Sequence, residues 1–185
     1  EALTFNGVDG YVEVADSASL DFGSGNFSVE FWVKKLESST AWDNVWGVNK
    51  WNTGATPGTN EWALSLCGTA DDNVPRFAVE SGTTAYTASA NSAISLNEWH
   101  HLVGVREGTS IKIYVDGILG QTTSVGTVSV NNVGRTLRIA NSAVNSLYTK
   151  ATFDDVRIYN RALSAGDVGS RYRISGSVFS GVGSL

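Results

Sequence analysis

Four of the six tryptophans in this 185-residue chain, Trp42, Trp46, Trp51 and Trp62, fall between residues 42 and 62. Asp43, Asn44, Asn49, Lys50, Asn52, Asn60 and Glu61 are interleaved with them. Flat aromatic rings cover the apolar C–H face of a sugar at little entropic cost, and amide and charged side chains orient its hydroxyls. The mixture points to saccharide recognition. The middle of the stretch, WNTGATPGTNE, carries neither helical nor strand periodicity. Loops of that length in compact domains are more often functional than idle. Alternation in NVWGVNKW puts Val45, Gly47, Asn49 and Trp51 on one side and Trp46, Val48 and Lys50 on the other, so one of Trp46 and Trp51 is expected inside. Trp62 alternates with Leu64 and Leu66 and reads as core. Trp42 and Trp51 are the expected exposed rings, with Asn49 and Asn52 as hydrogen-bonding neighbours.

Other chemistries find less support. The two histidines, His100 and His101, are adjacent. Alternation groups His101 with Trp99, Val103 and Val105 on the side read as core, and His100 with Leu102, Gly104 and Arg106, so both read as packing residues. There is no Gly-x-Ser-x-Gly, no phosphate loop and no zinc-ligand spacing. Cys67, the single cysteine, reads as a small buried apolar residue and excludes an intrachain disulfide. Two acids are candidate ligands for calcium, which takes several hard oxygens at once. Asp9 sits in the glycine-flanked turn NGVDGY, and Asp154, grouped with Val156 and Ile158, heads inward at a strand end. The loop ADDNVP reads as an acidic turn in solvent.

A net charge of −5, with no basic run longer than Lys34–Lys35, argues against nucleic acid or an anionic membrane as partner. With 42% hydrophobic and 17% charged residues the chain is globular, and no apolar run approaches a membrane span. Abundant Ser, Thr, Asn and Gly beside few Lys and Glu fit a secreted or cell-surface β-protein. The absence of methionine fits a piece of a longer, multidomain polypeptide.

The elements that must position these residues are strands. In NFSVEFWVKK, Phe27, Val29, Phe31 and Val33 share a face. In SIKIYVDG, Ile111, Ile113 and Val115 do the same, and TFDDVRIYN alternates likewise. Further strands are expected at 2–5, 11–14, 45–49, 62–66, 76–79, 99–105 and 137–140, separated by glycine-rich turns. That pattern is an all-β antiparallel two-sheet sandwich in one domain over 1–185. Its core runs over about 3–172, and 173–185 forms a closing strand or linker. One short helical turn is expected at RALSAGDVGSRY, where Ser164 and Asp167 resemble a capping box. On one sheet face Glu30, Trp32, Lys112, Tyr114, Asp155, Arg157 and Tyr159 can project together. Trp32, Tyr114 and Arg157 there make a second candidate ligand surface.

Three stretches carry a family resemblance: LTFNGVDGYVEVADSASLDFGSGNFSVEFWVK (3–34), LNEWHHLVGVREGTSIKIYVDGIL (96–119) and FDDVRIYNRALSAGDV (153–168). Together, in that order, they resemble the laminin-G-like branch of the concanavalin A-like lectin/glucanase family. The resemblance implies a jelly roll whose two chain ends pair. Its members often bind glycans, often hold calcium and are often appendages of larger secreted proteins. If the ends meet, Asp9 and Asp154 are expected to share one cation. The hydrolytic relatives carry E-x-D-x-x-E on one strand, which period two places on one face. That motif is absent here, as is the Gln-x-His pattern of the lyases of this fold. The resulting expectation is a non-catalytic carbohydrate-binding module. The alternatives are an adhesion or structural module that binds protein or decorates a surface or viral particle, and a polysaccharide-degrading enzyme of the same superfamily.

Overall fold

The computed structural model describes residues 1–39, 45–51, 58–68, 72–142 and 147–180, with 175–180 as backbone only. In chain order the strands are β1 (Leu3–Asn6), β2 (Val12–Val14), β3 (Phe27–Lys35), β4 (Trp46–Asn49), β5 (Trp62–Ser65), β6 (Arg76–Ser81), β7 (Thr84–Ser89), β8 (Trp99–Glu107), β9 (Ser110–Val115), β10 (Ile118–Ser124), β11 (Leu137–Ile139) and β12 (Lys150–Tyr159), followed by helix α1 (Ala165–Ser180). They form two six-stranded antiparallel sheets, β1-β12-β3-β8-β9-β10 and β2-β11-β4-β5-β6-β7. This is the jelly roll that the resemblance implies. The chain ends do pair: Leu3 faces Phe153 and Asn6 faces Lys150 in the β1–β12 ladder.

Alternation builds the core. Phe27, Val29, Phe31 and Val33 of β3 meet Trp62 and Leu64 of β5, Leu66 just beyond it, and Phe77 and Val79 of β6 between the sheets. Phe22 stacks on Phe27 at 4.3 Å, and Phe27 lies edge-on to Phe77. Trp62 is core, as its alternation predicts. On β8 the parity is the reverse of the expected one. Leu102 faces the inter-sheet core and the close approach of Gly104 to the Phe77 ring lies on that same side, whereas Val103 and Val105 face outward. His101 therefore lies on the outer side with them, and Trp99 is only half-buried at the strand's start.

That outer side is not solvent, because α1 covers it. Val103, Val105 and Tyr114 bury against Leu163 and Val168, and Tyr172 stacks on Trp32 at 5.8 Å. The helix starts where the capping box predicts: Asp167 N–H donates to Ser164 Oγ and Ser164 N–H donates to Asp167 Oδ2. It runs far beyond one turn, and the span expected as a closing strand or linker is helical through Ser180. The second candidate ligand surface is thereby removed: Trp32 is 3% and Tyr114 4% exposed. Arg157 stays partly open but is ion-paired to Asp155 and Glu30.

β12 also breaks the simple period. Its register shifts between Asp154 and Arg157, and Asp155 takes the left-handed conformation at φ 49°. The bulge turns Phe153, Val156 and Ile158 all toward the core. Asp154 instead pairs across from Trp32, away from the side on which alternation groups it with Val156 and Ile158. It accepts the Asp155 N–H at 2.8 Å.

Candidate functional site

β4 and β5 place the best candidate on the outer face of the second sheet. The β4–β5 register shifts between Trp46 and Val48, around Gly47. A Cβ on Gly47 would lie 2.4 Å from the Leu64 carbonyl oxygen and 2.7 Å from the Phe31 ring, so only glycine fits this bulge. Val48 turns inward to the core, and Trp46 turns outward over Ala63 and Cys67. Trp51 packs half-buried against the same cluster. The strands β5, β6 and β7 floor it with the small side chains Ala63, Ser65, Ala78 and Thr87. A cavity of about 180 Å³ opens above them, walled by Trp46, Trp51, Cys67 and Arg76. Its volume suits a single sugar ring.

The polar groups of this cavity are unevenly satisfied. Arg76 Nη2 donates to Asp72 at 2.7 Å, while Arg76 Nε has no partner. The indole N–H of Trp46, a residue 94% buried, has none either (relative exposure 6%). Buried donors of this kind are costly unless something accepts from them. Gly68 makes room for the guanidinium: a Cβ there would lie 1.8–2.0 Å from three of its atoms. The Gly68→Ala variant is expected to push Arg76 off Asp72 and cost about 1–2 kcal/mol, read as a lower midpoint in urea.

Of the residues named from the sequence, Trp51 lies in this cavity. Asn49 lies beneath it and is fully engaged: its Nδ2 donates to the Asn141 carbonyl at 2.9 Å and its Oδ1 accepts the Trp51 N–H at 3.1 Å. It positions Trp51 and presents nothing to a ligand. Trp42 and Asn52 lie outside the described residues. Trp46, expected as one alternative for burial, is buried yet lines the cavity. Arg76 and Gly68 were not anticipated. Cys67 is buried as expected, and burial pushes its thiol up. Beside it Lys35 Nζ donates to Ser39 Oγ and Asn73 Oδ1, both at 2.6 Å, and burial pulls its ammonium down to about 8.

The calcium pair does not form. Asn6 and Lys150 mark one end of the β1–β12 ladder, next to Asp9, whereas Leu3 and Phe153 mark the other, next to Asp154. Asp9 instead accepts the Asn6 Nδ2–H, and Asn6 Oδ1 takes the N–H groups of the turn. A different acidic cluster exists among the described residues, Asp16, Asp21 and Glu61, with ligand atoms within 4.8 Å of one another. The ammonium of buried Lys50 already fills it, at 2.7, 3.0 and 2.7 Å. Burial pulls this lysine down, but its hydrogen bonds to Asp16, Glu61 and Asp21 outweigh that and its pKa is raised. The carboxylate set is neutralised from within and does not fit a resident metal.

Two groupings resemble catalytic constellations. Ser95 Oγ lies 2.8 Å from His100 Nε2, and His100 Nδ1 lies 2.8 Å from Asp116 Oδ2. Ser95 also donates to Glu98. A hydroxyl has one hydrogen, and Ser95 directs it at Glu98 and not at His100. Base activation of a nucleophile needs the opposite arrangement. The second grouping is Glu30 with His101, Tyr159, Arg157 and Arg171. It lies under α1, with His101 2% and Glu30 0% exposed.

Fold and cavity together define a two-sheet lectin-like jelly roll with an aromatic recess on one outer face. Residues 6–169 match the laminin-G-like model of the concanavalin A-like lectin/glucanases superfamily, and the chain belongs to that family. No curated protein matches it in sequence. Among solved structures it is similar to the binding domain of Paraclostridial Mosquitocidal Protein 1, with TM-score 0.70 at 15% identity, covering 95% of this chain and 47% of that one. It is also similar to domain 4 of AbnA, a GH43 extracellular arabinanase from Geobacillus stearothermophilus, in complex with arabinotriose. There the TM-score is 0.70 at 20% identity, over 91% of this chain and 75% of that one. The botulinum neurotoxin serotype G binding domain follows, at TM-score 0.68 and 18% identity, over 95% of this chain and 42% of that one. At these identities the likeness is one of fold. The chain spans about half the length, or less, of the two toxin domains.

Proposed function

We propose that this domain is a non-catalytic saccharide-binding module whose ligand sits in the cavity of Trp46, Trp51 and Arg76. The observation that carries the reading is the half-buried indole ring of Trp51 beside the partly exposed Arg76 guanidinium, above a floor of small side chains. Such a recess offers a stacking face to one sugar ring with a polar group at its wall. The neighbours support it: the arabinanase domain was solved with arabinotriose, and the others are toxin binding domains. No helix among the described residues is long and apolar enough to cross a membrane. The reading places the module outside the cell, tethered to further domains, with avidity from that attachment offsetting weak single-site affinity.

A glycan array with titration calorimetry tests it. The parent is expected to bind a saccharide at micromolar to millimolar strength, and Trp51→Ala to weaken this about tenfold or more with its melting temperature preserved. Binding only to proteins would favour the adhesion reading. Release of product from laminarin, agar, alginate or carrageenan, or labelling of Ser95 by a fluorophosphonate, would establish an enzyme instead.

A further inference from the structure

The two long edges of the sandwich are finished differently. At one, β10 and β7 are stitched together: Thr123 Oγ1 donates to the Thr87 carbonyl at 2.8 Å, and the Ser89 N–H donates to Gln121 Oε1 at 3.1 Å. At the other, β1 and β2 each pair on one side only, with β12 and β11. A cavity of about 210 Å³ opens there, lined by Leu3, Val12, Ile139 and Val156, none of them fully buried. Leu3 is 55% exposed. β1 itself carries no proline, lysine or bulge, the devices that usually block a free edge. A strand laid against β1 would extend the first sheet, and every second side chain of it would point between the sheets, toward the cavity.

Charge selects the strand. Asp154 stands at the cavity rim, next to Phe153, which faces Leu3, and Asp9 follows β1 by three residues. Every lysine and arginine of the chain lies among the described residues, and none of them pairs with either acid. Their neighbours Glu13 and Asp155 are matched by Arg138 and Arg157. A second copy added antiparallel at this edge would set Asp154 of each against Asp9 of the other, which like charge disfavours. We propose that the β1 edge takes an extended segment of a partner protein, apart from the recess of Trp51. The segment has aliphatic residues at alternate positions, directed into the cavity, and a lysine or arginine toward each end for Asp154 and Asp9.

Titration calorimetry and amide exchange with the peptide acetyl-Lys-Leu-Thr-Leu-Lys-amide test the proposal. The controls replace both lysines by glutamate, or the threonine by proline. The basic peptide is expected to bind at roughly millimolar strength and to protect the amides of the β1 edge. At low salt it should bind about fivefold or more tighter than the glutamate peptide, and the proline peptide should not bind. Asp9→Asn with Asp154→Asn keeps the oxygen that accepts each internal bond. It is expected to weaken binding about fivefold at an unchanged melting temperature. Equal binding of the three peptides, binding that leaves β1 unprotected, or no binding at millimolar peptide overturns the proposal. Concentration-dependent protection of β1 without peptide makes a second copy the occupant and overturns it as well.

Discussion

Lys50→Met is expected to cost about 3–5 kcal/mol, and millimolar calcium is expected to return much of it. Lys50 has no exposed surface, and its ammonium touches Asp16, Asp21 and Glu61 at 3.0 Å or less. Removing one partner of a buried ionic cluster leaves uncompensated charge, which costs far more than the intact cluster contributes. Here it would leave Glu61, 1% exposed, facing two further carboxylates. Glu61 cannot swing away cheaply, since its Oε1 also accepts the N–H groups of Val133 and Arg135. The melting temperature should fall by about 10 °C. Three converging carboxylates without their lysine are a set of hard oxygens suited to calcium, and a ligand that binds only the folded state raises its stability. Calcium should move the parent far less. Calorimetric melting of both proteins with calcium and with EDTA decides it, and a variant as stable as the parent would show that the cluster holds little together.

Glu30→Gln is the second large effect. Glu30 lies under α1, accepting from Tyr159 at 2.6 Å and from Arg157 and Arg171 at 3.2 Å. Burial pushes its carboxyl up, but hydrogen bonds from His101 and Tyr159 and the charge of Arg171 prevail and hold it at about 2. Burial, reinforced by the same carboxylate, drives Tyr159 up to about 12. The amide cannot neutralise the arginines, so a loss of about 3–5 kcal/mol is expected, with α1 loosened first. The pH dependence carries the same signature. The folded carboxyl titrates below its ordinary 4.5, so its contribution is complete above that value and disappears as pH falls to about 2. The parent should lose roughly 3 kcal/mol across that window, a loss the variant lacks. Urea midpoints of both proteins between pH 5 and 2 measure it, and parallel profiles would remove Glu30 from the account.

Period two made the sheets legible, because β3, β5 and β6 each place their large core side chains at alternate positions. It failed where one residue breaks the count. The left-handed Asp155 turns Arg157 and Tyr159 toward Glu30, and nothing in FDDVRIYN announces a bulge. The helix was legible at its cap, through Ser164 and Asp167, but not in its length, because ISGSVFS is weakly helical by propensity and α1 gains its order by covering Trp32 and Tyr114. At the site, Trp51 was legible as a ring near polar residues. Arg76 was not, since it lies 25 positions away, and only the pairing of β5 with β6 brings it near (76 − 51). A usable signal existed: Ala63, Ser65, Ala78 and Thr87 are small at outward positions of three neighbouring strands, which leaves a recess. Lys50 read as one of the polar residues interleaved with the tryptophans, because Asp16 and Asp21 come to it from far along the chain.

The most direct test follows the six tryptophan indole N–H signals by NMR during titration with a bound saccharide. Trp46 and Trp51, which line the cavity, are predicted to shift together and saturably, while Trp32 and Trp62 stay fixed. Saturable binding that leaves Trp46 and Trp51 unmoved would contradict the account and place the ligand elsewhere on the molecule.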